Sequence, residues 1–184
     1  MLLTRRRLER RIIVITVLVI VLSACTPHEE HSHDHDHHHI VMEGSPEVPE
    51  DLKVAENPTY PVGSKAISKA DHLGEMMMGV EVEIVGAYVT TAYITSYDPS
   101  DDHPRVENHK WVVHEEFVNV GEETLEPGAE VETTANHMYG MEGTVQEIDS
   151  SVETTVYMVN FTTTDGHEVT NHKWVTEEEL EPLE

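Results

Sequence analysis

TTVYMVNF, residues 154–161, and NHKWV, residues 171–175, decide how this chain is built. The first stretch is β-branched and aromatic, and it places Tyr157, Val159 and Phe161 on one alternating face, the pattern of a strand with one buried side. Upstream, TTAYITSY at 90–97 offers Tyr93, Thr95 and Tyr97 in the same way, and NHKWV recurs at 108–112. The chain contains itself twice.

The first copy runs through ADHLGEMMMGVEVEI, TTAYITSY and VENHKWVVHEEF; the second runs through ANHMYGMEGTVQEI, TTVYMVNF and VTNHKWVTEEEL. Gly63 pairs with Gly128, Ala70 with Ala135, Tyr93 with Tyr157 and Trp111 with Trp174, so the offset shrinks from 65 to 63. Repeat 1 is read as 62–121 and repeat 2 as 122–184. Units of about 55 residues lie above the size of about 40 below which a domain needs staples. Within each unit an alternating run, VEVEIVGAY or TVQEIDSS, precedes the aromatic strand, and a turn-rich segment, DPSDDHP or TTDGH, follows it. Thr176 and Glu179 form a Thr-x-x-Glu capping box, predicting a closing helical turn, and His114 is read at the equivalent place in repeat 1. The acid runs Glu122–Glu123 and Glu177–Glu179 read as solvated faces. Four or five short strands per unit with one terminal turn predict an all-β chain of two tandem SH3-like barrels.

The N-terminus reads as an export signal. A basic head, RRRLERR at 5–11, leads into an apolar run from Ile12 to Leu22, shorter than the roughly 20 residues of a spanning helix. Leu22-Ser23-Ala24-Cys25 looks like a bacterial lipobox, which predicts a signal peptide over 1–24, lipidation of Cys25 and anchoring at the extracytoplasmic face of the cell membrane. Cleavage removes five of the 11 basic residues but only one of the 36 acids, leaving a formal charge of −29. A chain so acidic is repelled by nucleic acid, whose binding requires lysine and arginine to neutralise phosphates. Cations are its natural small partners. With its one cysteine committed to lipid, no internal disulfide can form.

Residues 25–61 hold several prolines, many acids and no sustained periodicity, and are read as a disordered tether. Within it lies HEEHSHDHDHHH, seven histidines in twelve residues: His28, His31, His33, His35, His37, His38 and His39. Following an export signal and Cys25, this is not a purification tag. Imidazoles accept Cu(II), zinc or nickel, and because they bind metal only when neutral, affinity is expected to fade as pH falls through about 6.5.

DH or NH with methionines and glycine, then TTVYMV and NHKWV, each pattern doubled over residues 63–183, resembles the YdhK or DUF1541 family of bacterial surface lipoproteins. The resemblance implies copper binding and a role in copper resistance, without saying which residues hold the metal. The family's His-Met-x-Gly-Met-x-Gly pattern is kept in repeat 2 as His137, Met138, Gly140, Met141 and Gly143. Repeat 1 departs from it: His72 is followed by Leu73, and Met76, Met77 and Met78 arrive later. Imidazole with thioether suits Cu(I), since thioether is soft and neutral. Each residue has a structural alternative: the methionines as core filling, above all Met158 within its strand, and His109 and His172 as hydrogen-bonding groups beside a tryptophan.

No Gly-x-Ser-x-Gly elbow, Walker loop or His-Glu-x-x-His motif is present, and an enzyme is not expected. The leading expectation is a lipid-anchored copper buffer or chaperone, with a copper exporter as its natural partner. The alternatives are a paired SH3-like module that recognises a peptide or wall component without metal, and a surface enzyme lacking a known motif.

Overall fold

The computed structural model describes residues 42–71 and 73–183. Cys25 and the seven tract histidines, His28, His31, His33, His35, His37, His38 and His39, lie outside the described residues, as does His72. No α-helix occurs among the described residues; the elements are eight strands and three short 3-10 turns. The all-β, tandem-repeat expectation holds. In chain order the strands are β1 (Lys53–Val54), β2 (Lys65–Ser68), β3 (Glu81–Tyr97), β4 (Val106–Val113), β5 (Glu130–Glu132), β6 (Val145–Thr162), β7 (Glu168–Thr176) and β8 (Leu180–Pro182).

Two of these strands are far longer than the sequence suggests. VEVEIVGAY and TTAYITSY fuse into the 17-residue β3, and TVQEIDSS with TTVYMVNF into the 18-residue β6. Only Val89 separates the first two runs and Val152-Glu153 the second two, and Gly86, inside the first run, is absorbed at a register shift between Ile84 and Gly86. A bulge bends a strand without ending it. β3 and β6 pair antiparallel along their whole length, from Val82 opposite Phe161 to Tyr97 opposite Gln146. Each repeat thus contributes one rail of a two-stranded spine, with β4 flanking β3 and β7 flanking β6.

Because the rails run in opposite directions, the start of one repeat lies beside the end of the other. One hydrophobic cluster joins Ala66, Met77, Val82 and Ile84 of repeat 1 to Tyr157, Val159, Phe161, Val175 and Leu180 of repeat 2. A second joins Tyr93, Tyr97, Val112 and Phe117 of repeat 1 to Ala135, Met141 and Ile148 of repeat 2. A third, holding both tryptophans, sits between them at the middle of the spine with Ala92, Val113, Val156 and Met158. The sheet edges follow the same exchange: β8 pairs with β2, and Phe117 bridges Thr133. The predicted inward faces are correct, since Tyr93, Thr95, Tyr97, Tyr157, Val159 and Phe161 are all buried.

Two readings need correction. Residues 42–61 are not a free tether: β1 pairs with β3, and Leu52, Ala55 and Tyr60 are buried, while Met42 and Val48 pack on the clusters. Their apolar residues follow no period because they fill separate gaps on the sheet. The second correction concerns the closing turns. Glu177–Glu179 is a 3-10 turn, and Glu179 accepts from both the Thr176 N–H (3.0 Å) and its hydroxyl (2.9 Å), the predicted box. In repeat 1 the box residue is Val113, whose N–H donates to Glu116 at 3.0 Å. His114 stands one place later and links the turn to its surroundings instead of capping it. Its ring bonds the Tyr93 hydroxyl through Nδ1 (2.9 Å) and the Gly121 carbonyl through Nε2 (2.7 Å).

Candidate metal centre

Glu116 lies at the end of β4's closing turn, and the turn's geometry aims its carboxylate inward. Once Val113 N–H has engaged Oε2, that same oxygen accepts the Trp174 indole N–H at 3.1 Å, and Oε1 meets His137 Nε2 at 2.8 Å. Both side chains of the Glu116–His137 pair are about 95% buried. Burial works against the carboxylate's charge, but His137, the Val113 N–H and the Trp174 N–H outweigh it and hold the Glu116 pKa below the ordinary value. The Glu116 backbone carbonyl is engaged as well, accepting from the N–H and hydroxyl of Thr134 and the hydroxyl of Thr133. An ionised carboxylate only accepts, so the hydrogen shared with it belongs to Nε2 of His137, and in the neutral ring the lone pair falls on Nδ1. Nδ1 of His137 is buried and has no hydrogen-bond partner. A histidine whose far nitrogen is held by a carboxylate while its near nitrogen is left open is the arrangement that prepares imidazole for a metal.

The surroundings of this ring come from both repeats. His109 on β4 stands 6.1 Å from it between ring centres, and Trp174 on β7 presents itself edge-on at 6.4 Å. His109 itself lies edge-to-face with Tyr97 at 6.0 Å. Asn108 and Asn171 take positive φ (55° and 50°), the left-handed turn of backbone that asparagine tolerates. The NHKW motif is therefore irregular backbone that sets a histidine and a tryptophan beside the spine.

Above the pair opens a cleft of about 570 Å³ whose walls include Glu43, Glu47, Glu50, Glu115 and Lys173. Its outer wall is the 43–50 segment, fastened by Gly44 N–H to the Thr170 carbonyl (2.9 Å) and by the Asn171 side-chain amide to the Gly44 carbonyl (2.9 Å). A Cβ on Gly44 would stand 2.5 Å from the Asn171 carbonyl oxygen, so only glycine fits. Lys173 donates to the Glu47 carbonyl; burial lowers its pKa, with Glu116 and Glu47 acting in the opposite sense.

The predicted ligands do not converge on one point. Met77 and Met141 are fully buried in the two outer clusters and are accounted for as core residues, as is Met158 in the central one. Met76 is half-buried, Met78 is 51% exposed, and Met138 packs against the Tyr93–Met141 cluster. His172 is buried edge-to-face on Phe161 at 5.7 Å. Among the described residues no group of three or more His, Cys, Asp or Glu side chains is placed to hold a metal. Of the candidate residues, the structure sets His109 and His137 side by side, although the sequence reading grouped His137 with Met138 and Met141 and His109 with His172. That reading missed Glu116, whose only signal was its alignment with Glu179, and it misread Glu179, which accepts the Trp111 indole N–H at 2.8 Å instead of facing solvent.

The protein-family model DUF1541, a protein of unknown function, matches residues 62–114 and 127–177, the two repeats. The chain is 46% identical over 172 residues to the uncharacterized protein YdhK of Bacillus subtilis (strain 168), covering 89% of this chain and 83% of that protein. The crystal structure of a DUF1541 family protein (ydhK) from B. subtilis superposes with a TM-score of 0.73 at 50% identity, covering 76% of this chain and 95% of that one. A solution NMR structure of the ydhK C-terminal domain superposes with a TM-score of 0.62, again at 50% identity, over 66% of this chain and 92% of that one. With both repeats matched and an inward strand pattern shared along their length, the chain belongs to the DUF1541 family.

Proposed function

We propose that this chain is an extracytoplasmic, lipid-anchored metal-binding protein that sequesters copper at the bacterial cell surface and contributes to copper resistance. The observation that carries the reading is the buried Nδ1 of His137, unpartnered while Glu116 holds Nε2. Leaving a buried polar atom unpaired costs about 1–3 kcal/mol, which a bound cation would offset. The formal charge of −29 beyond residue 24 and the acids of the cleft favour a cation over any anionic ligand. In this reading the tract from His28 to His39 supplies capacity at Cu(II), zinc or nickel, and the folded repeats supply selectivity for Cu(I). The role is binding, not catalysis, and a copper exporter is the partner that would clear what is held.

The test is in cells. Deleting the gene should raise copper sensitivity, restored by the wild-type chain but not by one carrying His137→Gln with the tract histidines replaced by asparagine. Equal growth in copper with and without the gene would refute the proposal. Replacing Cys25 by alanine should release the protein from the membrane fraction.

A further inference from the structure

We infer that the open edges of β4 and β6 form a docking site for an extended, basic segment of another protein, bound by strand addition along the counterpart of the path that residues 42–54 take. The inference goes beyond the metal reading and does not depend on it. Thr90 pairs with Thr154, its own equivalent in repeat 2, so the two halves of the spine match about that pair. Residues 42–54 break the match, because they cover one half only. There Thr170 of β7 donates its N–H to the Met42 carbonyl at 3.0 Å and accepts from the Gly44 N–H at 2.9 Å, with Glu43 bridging it in parallel. The segment then lays Val48 and Leu52 on the tryptophan cluster and ends as β1, with Lys53 opposite Val89 and Val54 opposite Tyr88.

On the other half, Glu107 and Asn108 stand for Thr170 and Asn171, Trp111 for Trp174, and Val152 and Glu153 for Tyr88 and Val89. Among the described residues nothing bridges Glu107, and nothing pairs with 150–153 on the side of β6 away from β3. Exposure follows the difference: Glu107, Asn108 and 150–153 are exposed where Thr170, Asn171 and Tyr88 are half-buried, and Trp111 is 9% exposed where Trp174 is 0%. An open strand edge takes a further strand through its main chain, while the flanking side chains choose which strand. Here Glu107 and Glu153 replace the neutral Thr170 and Val89, so the strand that fits brings a cation opposite each. A second copy of 42–54 is the wrong occupant, since its Glu43 would face Glu107 and copies of formal charge −29 repel. The partner also needs glycine at the place of Gly44. A Cβ on Gly44 would stand 2.5 Å from the Asn171 carbonyl oxygen, and Asn108 repeats the positive φ of Asn171, 55° against 50°.

The experiment is an NMR titration of the ¹⁵N-labelled mature chain with a synthetic peptide that copies residues 42–54 but carries lysine in place of Glu43, Glu47 and Glu50. Amide shifts are expected at Glu107, Asn108 and 150–153, with Thr170 unmoved. Glu107→Lys in the protein should weaken the peptide by about tenfold, and alanine in place of the peptide's glycine should weaken it at least as much. Equal binding of the glycine and alanine peptides, or shifts scattered over the acidic surface, would reduce the effect to charge attraction and overturn the site. Shifts centred on Thr170 would mean that the peptide displaces the chain's own segment, and would overturn it too. Tighter binding of the unaltered 42–54 peptide would overturn the basic partner in favour of a second copy, and no shift at millimolar peptide would overturn docking at this edge altogether.

Discussion

Trp174 of repeat 2 donates its indole N–H to the buried carboxylate of Glu116 in repeat 1, at 3.1 Å. Trp111 of repeat 1 returns the relationship at 2.8 Å to Glu179 of repeat 2. Each closing turn is thus tied to the other repeat's tryptophan, and at Glu116 the tie also orients a buried histidine. Glu116→Ala would leave the indole N–H, the Val113 N–H and His137 Nε2 without their acceptor inside the protein. A loss of about 3–5 kcal/mol is expected in denaturant unfolding, the scale for breaking a buried pair from one side. Glu116→Gln, which keeps an acceptor, should lose less.

The exchange of halves predicts that a single repeat is incomplete. Residues 62–121 alone carry β2–β4 but lack Tyr157, Val159, Phe161, Val175 and Leu180, which fill the cluster around Met77. That fragment is expected to give a collapsed amide NMR spectrum and no cooperative melt. A dispersed spectrum from a monomer of 62–121 would show that the repeats fold independently.

How much of this was legible beforehand follows from the kind of signal involved. Tyr157, Val159 and Phe161 announced their inward face because alternation is local, and the duplication was visible because NHKWV is long enough to match itself. Which half packs on which depends on the antiparallel pairing of two strands about 60 residues apart, and a repeat pattern is equally satisfied by either partner. Glu116 was invisible for a related reason. A glutamate among Glu115 and other acids reads as solvated until Trp174 and His137 arrive from another part of the chain.

Tyr97 offers a simple test of the packing. Its hydroxyl is buried without a hydrogen-bond partner, and the equivalent residue in repeat 2 is Phe161. Tyr97→Phe should therefore be neutral or stabilising by about 1 kcal/mol, read as a raised Tm. A loss of stability would mean that the hydroxyl makes a bond essential to the second cluster.

The buried tyrosines also fix the alkaline limit. Burial, with Asp101 adding to it, pushes Tyr97 from 10.0 to about 12, and burial with Glu177 raises Tyr157 further. A tyrosine whose folded pKa is raised holds its proton longer folded than unfolded, so its stabilisation is complete below pH 10 and disappears as pH climbs through the folded value. Tm should be insensitive to these groups below about pH 10 and fall between about 10 and 12. Absorbance of tyrosinate should show some of the six tyrosines ionising only with unfolding. Titration of all six near pH 10 in the folded protein would contradict the burial.

The central claim is a Cu(I) site built on His137. The most direct measurement is competition of the mature chain against a chromogenic Cu(I) chelator, beside His137→Gln with the histidine tract intact. The prediction is one tight equivalent in the wild-type chain that the variant loses, with the weaker equivalents of the tract unchanged. Identical stoichiometry and affinity in the two proteins would contradict it.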